Sequence, residues 1–535
     1  MAVRKKEIHN KIYLDRWMAF HPYKKPGSSD YYYLDLSNRL YKTIKTRPEL
    51  GLFSEIHTDD SENLCCYLTC YLEDVVSEIG MMRAFTKQHR ELYGKDLPFY
   101  SPAEYDYNDI NREDIYFLLW HYFSVILYED TIVSPVSADL IQLGNIVFEV
   151  LYEEFERVPE NTRLKEFLHL SPGEENFFVV RDKIQFIILD SYLFFFNRLE
   201  CMAGVGEILD AMKDKMDDNE LAQKIPLVTY DTVDNYLLSK VFPLLARRGK
   251  DWLAYVLGMD HPLFEKIISI TEKKTGSYLF LEQENGILRF EHIASGTILP
   301  VTVRSYDTLP DFIEGRTIIN CSLIMWKDIW WFSGASAVHP NDPERIKKEK
   351  GPEGDKNLFG GLDKKQHDIL QEQSQLFLEF NKGRSMAFFN TMDQAAEFAM
   401  NFMELFKASI QGSAGADNVA IPHEMSISQE ARKEPGFVFF NPKTGMEMVY
   451  GYNELIPDPD NPLYNEKKGR EDALELLISQ EISRECSLYL AEKIGFGVLA
   501  SPVQYQDGIL EENLDFLLRY WKAGRYYSTP SITLI

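Results

Sequence analysis

Two adjacent tryptophans, Trp330 and Trp331, lie at the end of the apolar run 318–332 and constrain the fold more than any other feature. The run is typical of a β-strand, in which successive side chains point to opposite faces. One indole ring therefore faces the core of its own sheet and the other faces away from it. An exposed tryptophan forgoes about 2 kcal/mol or more of burial free energy, so the second face also needs a cover.

Two interpretations of this cover lead to different functions. In the first, the outward ring packs against a helical part of the same chain and is structural. In the second, Trp326, Trp330 and Trp331 form the partner-binding face of a small barrel, since tryptophan is favoured at the centres of protein interfaces. The sequence leaves both interpretations open.

The composition excludes several classes of protein. A length of 535 residues exceeds what one hydrophobic core usually serves, and 45 % hydrophobic residues exclude a disordered chain. Lys and Arg total 57 whereas Asp and Glu total 83, which gives a net charge of −26. This charge opposes binding to nucleic acids and to anionic membrane surfaces. The charge is compatible with a protein partner, and it defines no oligomeric state.

The cysteines and the apolar segments predict a cytoplasmic location. Six cysteines are too few for a disulfide scaffold in a chain of this length. Cys65, Cys66 and Cys70 lie close together, but they lack a second cysteine pair and a nearby histidine, so we predict buried free thiols. No apolar run of signal length follows the N-terminus. The best membrane candidate, 184–196, is shorter than the roughly 20 residues of a span and contains Asp190.

The pattern of apolar residues predicts a multidomain α+β protein with four parts. Residues 1–273 form a mostly helical domain, because apolar residues recur at helical spacing. Residues 274–335 form a small five-stranded barrel, SH3-like or OB-like, with a hairpin at Asn285–Gly286. A linker rich in Pro, Gly and charge covers 336–365, and an α+β domain covers 366–535. The predicted helices include three over roughly 176–198, 230–258 and 470–493.

Short motifs at the two ends of the chain resemble a known family. They are KIYLDRW at 11–17, HPY at 21–23 and LDFLLRYWK at 514–522. Together they resemble a domain-of-unknown-function family from gut-type bacteria. The resemblance implies a bacterial origin and a chain that is one evolved unit, and it implies no activity.

Motifs that would name a reaction are absent from the sequence. It contains neither a phosphate-binding Gly-rich loop nor the G-x-S-x-G elbow of serine hydrolases. His339, His367 and His423 could meet around a metal ion, with Glu424 as the base. Their spacing matches no zinc signature, and exposed or helix-capping histidines are the alternative. No cofactor is predicted, and no catalytic residue is identified.

Three hypotheses for the function follow. The leading one is a non-catalytic cytoplasmic interaction or scaffold protein with an aromatic-rich barrel. The second is a metal-dependent hydrolase that uses residues of the C-terminal half. The third is an acidic decoy for a nucleic-acid-binding protein, which is based on the net charge alone.

Overall fold

The structure is a computed structural model, and it describes residues 11–47, 51, 53, 56–127, 133–213, 215–306, 312–340, 342–351, 354–356, 358–359, 364–409, 427–500 and 507–527. The chain forms two compact units. The first unit comprises Met1–Phe242 and Arg247–Phe359, and the second comprises Pro243–Ala246 and Gly360–Ile535.

The N-terminal part of the chain is helical, as predicted. Its helices are α1 (Leu14–Met18), α2 (Ser28–Lys45), α3 (Thr58–Val76), α4 (Met81–Tyr93), α5 (Arg112–Ile126), α6 (Ala138–Tyr152), α7 (Thr162–Leu168), α8 (Phe177–Gln185), α9 (Asn197–Lys213), α10 (Asp218–Ser239), α11 (Pro243–Ala246), α12 (Gly249–Leu257) and α13 (Phe264–Ile268). The short strands β1 (Val241–Phe242) and β2 (Arg247–Arg248) pair on either side of α11.

Helix α3 lies in the core of the first unit. Its residues from Ser61 to Asp74 are all buried apart from Asn63, and they include Cys65, Cys66 and Cys70. These cysteines are unpaired, so the prediction of buried free thiols is confirmed. Burial raises the pKa of each thiol, which keeps the sulfur protonated at neutral pH.

A closed five-stranded barrel follows the helices, as predicted. Its strands are β3 (Lys274–Glu284), β4 (Ile287–His292), β5 (Ile298–Thr302), β6 (Thr317–Trp326) and β7 (Ile329–Pro340), in the spatial order β3-β4-β5-β7-β6. Strands β5 and β7 are parallel neighbours, and the other pairs are antiparallel. This order is that of an OB-like Greek-key barrel, because an SH3-like barrel would keep consecutive strands side by side.

Two hairpins of the barrel have two-residue turns with backbone angles that the sequence indicates. Asn285 and Gly286 have φ values of 51° and 78°, and Lys327 and Asp328 have values of 48° and 64°. Left-handed conformations at both central residues give a turn whose twist matches that of the flanking strands. Both loops are therefore too short to form the extended loops with which many OB-like barrels hold a ligand.

The second unit combines helices with a three-stranded sheet. Strands β8 (Met386–Phe389), β9 (Gly436–Asn441) and β10 (Gly445–Tyr450) are antiparallel in the order β10-β9-β8. In chain order, α14 (Pro343–Glu349) still belongs to the first unit, and the helices of the second unit are α15 (Lys364–Phe380), α16 (Met392–Ser409), α17 (Glu466–Ile478), α18 (Arg484–Ile494), α19 (Phe496–Ala500) and α20 (Asp507–Trp521). Phe377, Phe402 and Phe440 lie in the core between the sheet and helices α15 and α16.

The helix predicted over 176–198 is wrong as a single element. Helix α8 ends at Gln185, and a π-helical turn, Phe186–Asp190, and a short 3-10 turn, Tyr192–Phe194, separate it from α9. The Tyr192 hydroxyl donates to Asp74 Oδ2 at 2.8 Å, a contact with a distant part of the chain. The break in the helix allows Tyr192 to donate this hydrogen bond, which satisfies a buried carboxylate.

The helices predicted over 230–258 and 470–493 are also interrupted. Pro243 has no N–H, and Leu244 and Ala246 adopt φ values of 66° and 49°, which a continuous helix excludes. In the second unit, α17 ends at Ile478, and Ser483 begins α18 by accepting a hydrogen bond from Cys486 N at 3.1 Å.

The predicted domain boundaries differ from the observed elements. Strand β7 continues to Pro340, past the boundary at 335, and α14 lies within the predicted linker 336–365. The four-part division stays a prediction. Within the described ranges, no helix combines the length and the apolar character that a bilayer span requires.

Candidate functional site

The three tryptophans singled out in the sequence are buried on both faces of the barrel. Trp330 belongs to the barrel core and is 9 % exposed, and its ring lies 5.7 Å from that of Phe359. Trp331 points to the other face, is 1 % exposed and contacts Phe178. Trp326 is fully buried. The strand geometry predicted for the tryptophan pair is confirmed. A partner-binding role for the three rings stays a prediction, and the rings have almost no exposed surface.

The four candidate metal ligands of the C-terminal half are not brought together by the described structure. His339 lies on β7 and is partly buried. His367 lies on α15, but its side chain is outside the described part of the chain, as are all atoms of His423 and Glu424. A metal site built from these residues stays a prediction.

A different cluster, which the sequence analysis missed, lies in the helical part of the first unit. His21 follows α1, Asp30 lies in the first turn of α2, and Glu73 lies on α3. His21 Nε2 is 2.9 Å from Glu73 Oε2 and 3.8 Å from Asp30 Oδ1. All three side chains are buried, and one ligand atom from each lies within 4.8 Å of the others.

The imidazole ring of His21 is held in one orientation by Trp17. Its Nδ1 lies 3.1 Å from the Trp17 carbonyl oxygen, which can only accept a hydrogen bond, so Nδ1 carries a proton. The Trp17 indole N–H donates to Asp30 Oδ1 at 3.1 Å. Burial alone would lower the pKa of His21, but the Glu73 and Asp30 carboxylates and the Trp17 carbonyl oxygen together outweigh this effect and raise it.

The two carboxylates of the cluster accept further hydrogen bonds from neutral groups. Asp30 accepts from Gly27 N at 2.6 Å and from the Tyr23 hydroxyl at 3.2 Å. Glu73 Oε1 accepts from Asn161 Nδ2 at 2.8 Å. The donors come from two separate segments of the chain, the loop before α2 and the residue before α7, so the fold itself fixes the positions of the carboxylates.

The first unit also contains a cleft of about 250 Å³. Its lining includes Asp74, which directly follows Glu73 on α3. The cleft is formed by the turn between α3 and α4, the loop before α5, the start of α5 and Phe155. The lining residues are Asp74, Val75, Val76, Glu78, Gly80, Met82, Arg83, Tyr105, Asp106, Tyr107, Asn108, Asp109, Asp114 and Phe155. The lining thus contains five carboxyl groups and one basic side chain, Arg83.

Asp74 supports the turn that forms one wall of the cleft. Its carboxylate accepts hydrogen bonds from the backbone N–H groups of Gly80, Met81 and Met82 at 2.7, 3.0 and 2.8 Å, in addition to the Tyr192 hydroxyl. These donors occupy the N-terminus of α4, where a carboxylate is stabilising. Asp74 is therefore a structural residue of the cleft.

Asp114 lines the cleft, is buried, and accepts hydrogen bonds from three side chains. It accepts hydrogen bonds from the hydroxyls of Tyr71 and Tyr105 at 2.7 and 2.8 Å and from Asn111 Nδ2 at 3.2 Å. Burial raises the pKa of Asp114 to about 7, and these hydrogen bonds only partly oppose it. The charge of the Asp114 side chain therefore changes near neutral pH.

A buried amine is the most unusual ionisable group of the second unit. Lys522 Nζ donates to the carbonyl oxygens of Leu476 and Ile482 at 2.9 and 3.3 Å and to Ser487 Oγ at 2.7 Å. Burial lowers the pKa of Lys522 to about 7. The three acceptors use all three N–H groups of an ammonium, which identifies Lys522 as a structural cross-link between α20 and the segment 476–487.

The fold and this geometry define a multidomain α+β protein with a closed barrel and an acidic cleft in its helical part. The chain belongs to the family described as "Protein of unknown function (DUF3843)", whose model matches residues 11–279 and 339–522. The predicted family resemblance is thereby confirmed, while the bacterial origin stays a prediction. No curated protein and no solved structure matches the chain.

The matched ranges include the cluster and the cleft but omit 280–338, which holds most of the barrel. One signal for the cluster was present in the sequence. The motif HPY contains His21 and Tyr23, whereas Asp30 and Glu73 carried no signal of their own.

Proposed function

We propose that this protein is a non-catalytic cytoplasmic interaction protein, and that the cleft binds a basic side chain, arginine or lysine, of a protein partner. The observation that carries this proposal is the acidic, tyrosine-lined cleft of the first unit. Clefts in which a few polar groups converge are where proteins commonly bind ligands.

Asp106 and Asp109 are the carboxylates available to a cation, because the exposed Glu78 already pairs with Lys165 at 3.0 Å. Asp106 Oδ1 accepts from Asn108 N at 2.9 Å, and Asp109 Oδ1 accepts from Ile110 N at 2.7 Å. The Oδ2 atom of each carboxylate makes no hydrogen bond in the described structure. Two such oxygens on one loop match the paired N–H groups of a guanidinium or the N–H groups of an ammonium.

Tyrosine rings complete a surface suited to a basic side chain. Tyr105 and Tyr107 line the cleft with ring centroids 4.9 Å apart. The face of an aromatic ring attracts a nearby cation, and it also covers the apolar stem of a lysine or arginine. Anionic ligands are disfavoured here, because the carboxyl groups of the lining outnumber Arg83.

The charge of the whole chain supports a basic partner. A net charge of −26 accelerates encounters with positively charged proteins and repels nucleic acids. An acidic decoy would be the special case in which the basic partner is a nucleic-acid-binding protein. The six unpaired cysteines support the proposed cytoplasmic location. No contact in the described structure brings together the C-terminal residues of the hypothesised metal-dependent hydrolase.

A peptide titration of the full chain tests the proposal. Fluorescent peptides of one length carry zero, two or four arginines, and binding is measured by anisotropy. We expect affinity to rise with arginine content and to fall with salt. The double variant Asp106→Asn/Asp109→Asn should weaken binding roughly two- to thirty-fold, because each of the two partly exposed charge pairs contributes about 0.2–1 kcal/mol.

The control removes the same charge elsewhere in the first unit. Glu207→Gln/Glu220→Gln changes two exposed carboxylates of α9 and α10. This variant should bind like the wild type. An equal loss in both double variants would attribute binding to overall charge and refute the cleft, and so would wild-type affinity that is independent of arginine content.

A further inference from the structure

We propose that His21, Asp30 and Glu73 bind one divalent transition-metal ion, with Zn²⁺ as the best match. This site is separate from the binding of a basic side chain, and neither proposal depends on the other. The inference rests on the hydrogen-bond pattern, the charges and the distances within the cluster.

The hydrogen-bond pattern places two lone pairs face to face. Because Nδ1 of His21 donates to the Trp17 carbonyl oxygen, a neutral ring has its lone pair on Nε2. This lone pair points at Glu73 Oε2, only 2.9 Å away. Two acceptors at this distance require a positive species between them, which is either a proton or a metal ion.

The charges favour the metal ion. Asp30 and Glu73 are both buried, and their other contacts come from neutral donors. A proton on His21 leaves one uncompensated negative charge in the buried cluster. A divalent cation with a neutral imidazole leaves none, and a buried net charge is costly in free energy.

The distances are close to those of a coordination sphere. Zinc binds nitrogen and carboxylate oxygen at about 2.0–2.2 Å, which puts ligand atoms of a tetrahedron roughly 3.4 Å apart. The observed separations from His21 Nε2 are 2.9 Å to Glu73 and 3.8 Å to Asp30. Shifts of about half an ångström bring these two separations to that value, and one oxygen of Asp30 lies within 4.8 Å of one oxygen of Glu73.

The surroundings of the cluster fit a metal site in two further respects. Metal-binding histidines usually donate their second N–H to a carbonyl or carboxylate, as His21 does to Trp17. Glu73 also lines a cavity of about 20 Å³, which is room for one water molecule beside this ligand. An imidazole ligand favours zinc over magnesium or calcium, which prefer oxygen.

Metal analysis of the purified full chain tests the inference. The protein is stripped with a chelator, dialysed against Zn²⁺ in high salt to remove weak surface binding, and analysed for metal content. We expect one equivalent of zinc. Cobalt substitution should give the visible absorption bands of a low-symmetry site. The variants His21→Gln and Glu73→Gln should lose both signals, whereas His121→Gln, at another buried histidine, should retain them.

A thermal measurement covers the case in which the variants do not fold. Saturating Zn²⁺ should raise the melting temperature of the stripped wild type by several degrees, because a ligand that binds only the folded state stabilises it. Mg²⁺ should not do so. Wild-type protein that retains less than a tenth of an equivalent and melts at the same temperature with and without Zn²⁺ would overturn the inference. Zinc retention by folded Glu73→Gln at the wild-type level would do the same.

Discussion

The ring of Trp331 lies edge-on to the ring of Phe178, with centroids 5.7 Å apart and planes inclined by 85°. Edge-to-face contacts of this kind are favourable beyond the area that they bury. The contact joins the outer face of barrel strand β7 to helix α8. The barrel is therefore covered on this face by a helix of the same unit.

Removing this ring should destabilise the first unit. Trp331→Ala deletes a side chain that is 1 % exposed, and we expect the free energy of unfolding to fall by about 3–5 kcal/mol. Urea unfolding followed by circular dichroism measures the change. Ile298→Ala, at a barrel side chain that is 56 % exposed, should change the stability by less than about 0.5 kcal/mol. Equal stability of Trp331→Ala and the wild type would contradict the packing described.

A buried ion cluster provides a second connection between the barrel and the helices. Asp234 of α10 is fully buried and accepts from Arg181 Nε at 2.5 Å and from Ser333 Oγ on β7. Lys273 Nζ lies 3.4 Å from the same carboxylate. Asp234→Asn leaves two buried cations without a full counter-charge, so we expect a loss of about 3–5 kcal/mol of stability.

Asp182→Asn is the matched control for this prediction. Asp182 is 62 % exposed and lies 3.7 Å from the same arginine, and its loss should cost at most about 1 kcal/mol. Thermal denaturation of both variants gives the comparison. A larger effect for Asp182→Asn would show that burial does not decide the strength of these pairs.

The stability of the first unit should depend on the protonation of Asp114. Its pKa is about 7 in the folded chain, against an ordinary value of 3.8. The carboxyl group thus keeps its proton between these values in the folded state but loses it in the unfolded state. Its contribution to stability is complete below about pH 4 and is lost as the pH rises to about 7.

The variant Asp114→Asn isolates this contribution. In the variant the amide oxygen can replace Oδ2 and accept from Tyr71 and Asn111. The amide nitrogen then replaces Oδ1, so the Tyr105 hydroxyl has to rotate and accept from it. We compare the free energy of unfolding of the wild type with that of Asp114→Asn. Between pH 4 and 7 the wild-type value should fall relative to the variant by up to roughly 1.4 kcal/mol per pH unit. Above pH 7 the difference should stay constant. Urea unfolding at a series of pH values measures the difference. A difference independent of pH would mean that Asp114 titrates normally.

Lys522 should produce the opposite dependence in the second unit. Its pKa is about 7 in the folded chain and 10.5 ordinarily, so the unfolded state binds more protons between these values. Stability therefore rises with pH over this range. We expect the advantage of the wild type over Lys522→Met to grow between pH 7 and 9, measured by urea unfolding. A constant advantage would indicate that the amine remains charged when buried.

Local patterns were sufficient to predict the barrel but not its surroundings. The turn at Asn285–Gly286 depends on neighbouring residues, and the five-stranded barrel predicted around it is present. Trp331 is covered by helix α8, which lies about 150 residues earlier in the chain. No local sequence pattern encodes a contact between residues so far apart.

The helix interrupted before Tyr192 and the cluster have the same physical explanation. The contact between Tyr192 and Asp74 ends a helix that apolar periodicity alone would continue. His21, Asp30 and Glu73 come from three elements, and the spacings between them match no metal-binding signature. Side chains that meet only after folding carry no periodic signal, so the sequence indicates the elements better than it indicates the site.

The short helix α11 places a limit on how the chain can be divided. Leu244 and Leu245 are fully buried, and Arg519 of α20 donates to the Leu245 carbonyl oxygen at 3.3 Å. This tetrapeptide belongs to the second unit, although its flanking strands belong to the first. A fragment cut at Phe359 would therefore expose two leucines that are normally sheltered, and the remaining fragment would lack part of its interior. We therefore expect that neither fragment folds as the intact chain does. Truncation experiments need the full-length protein as their reference.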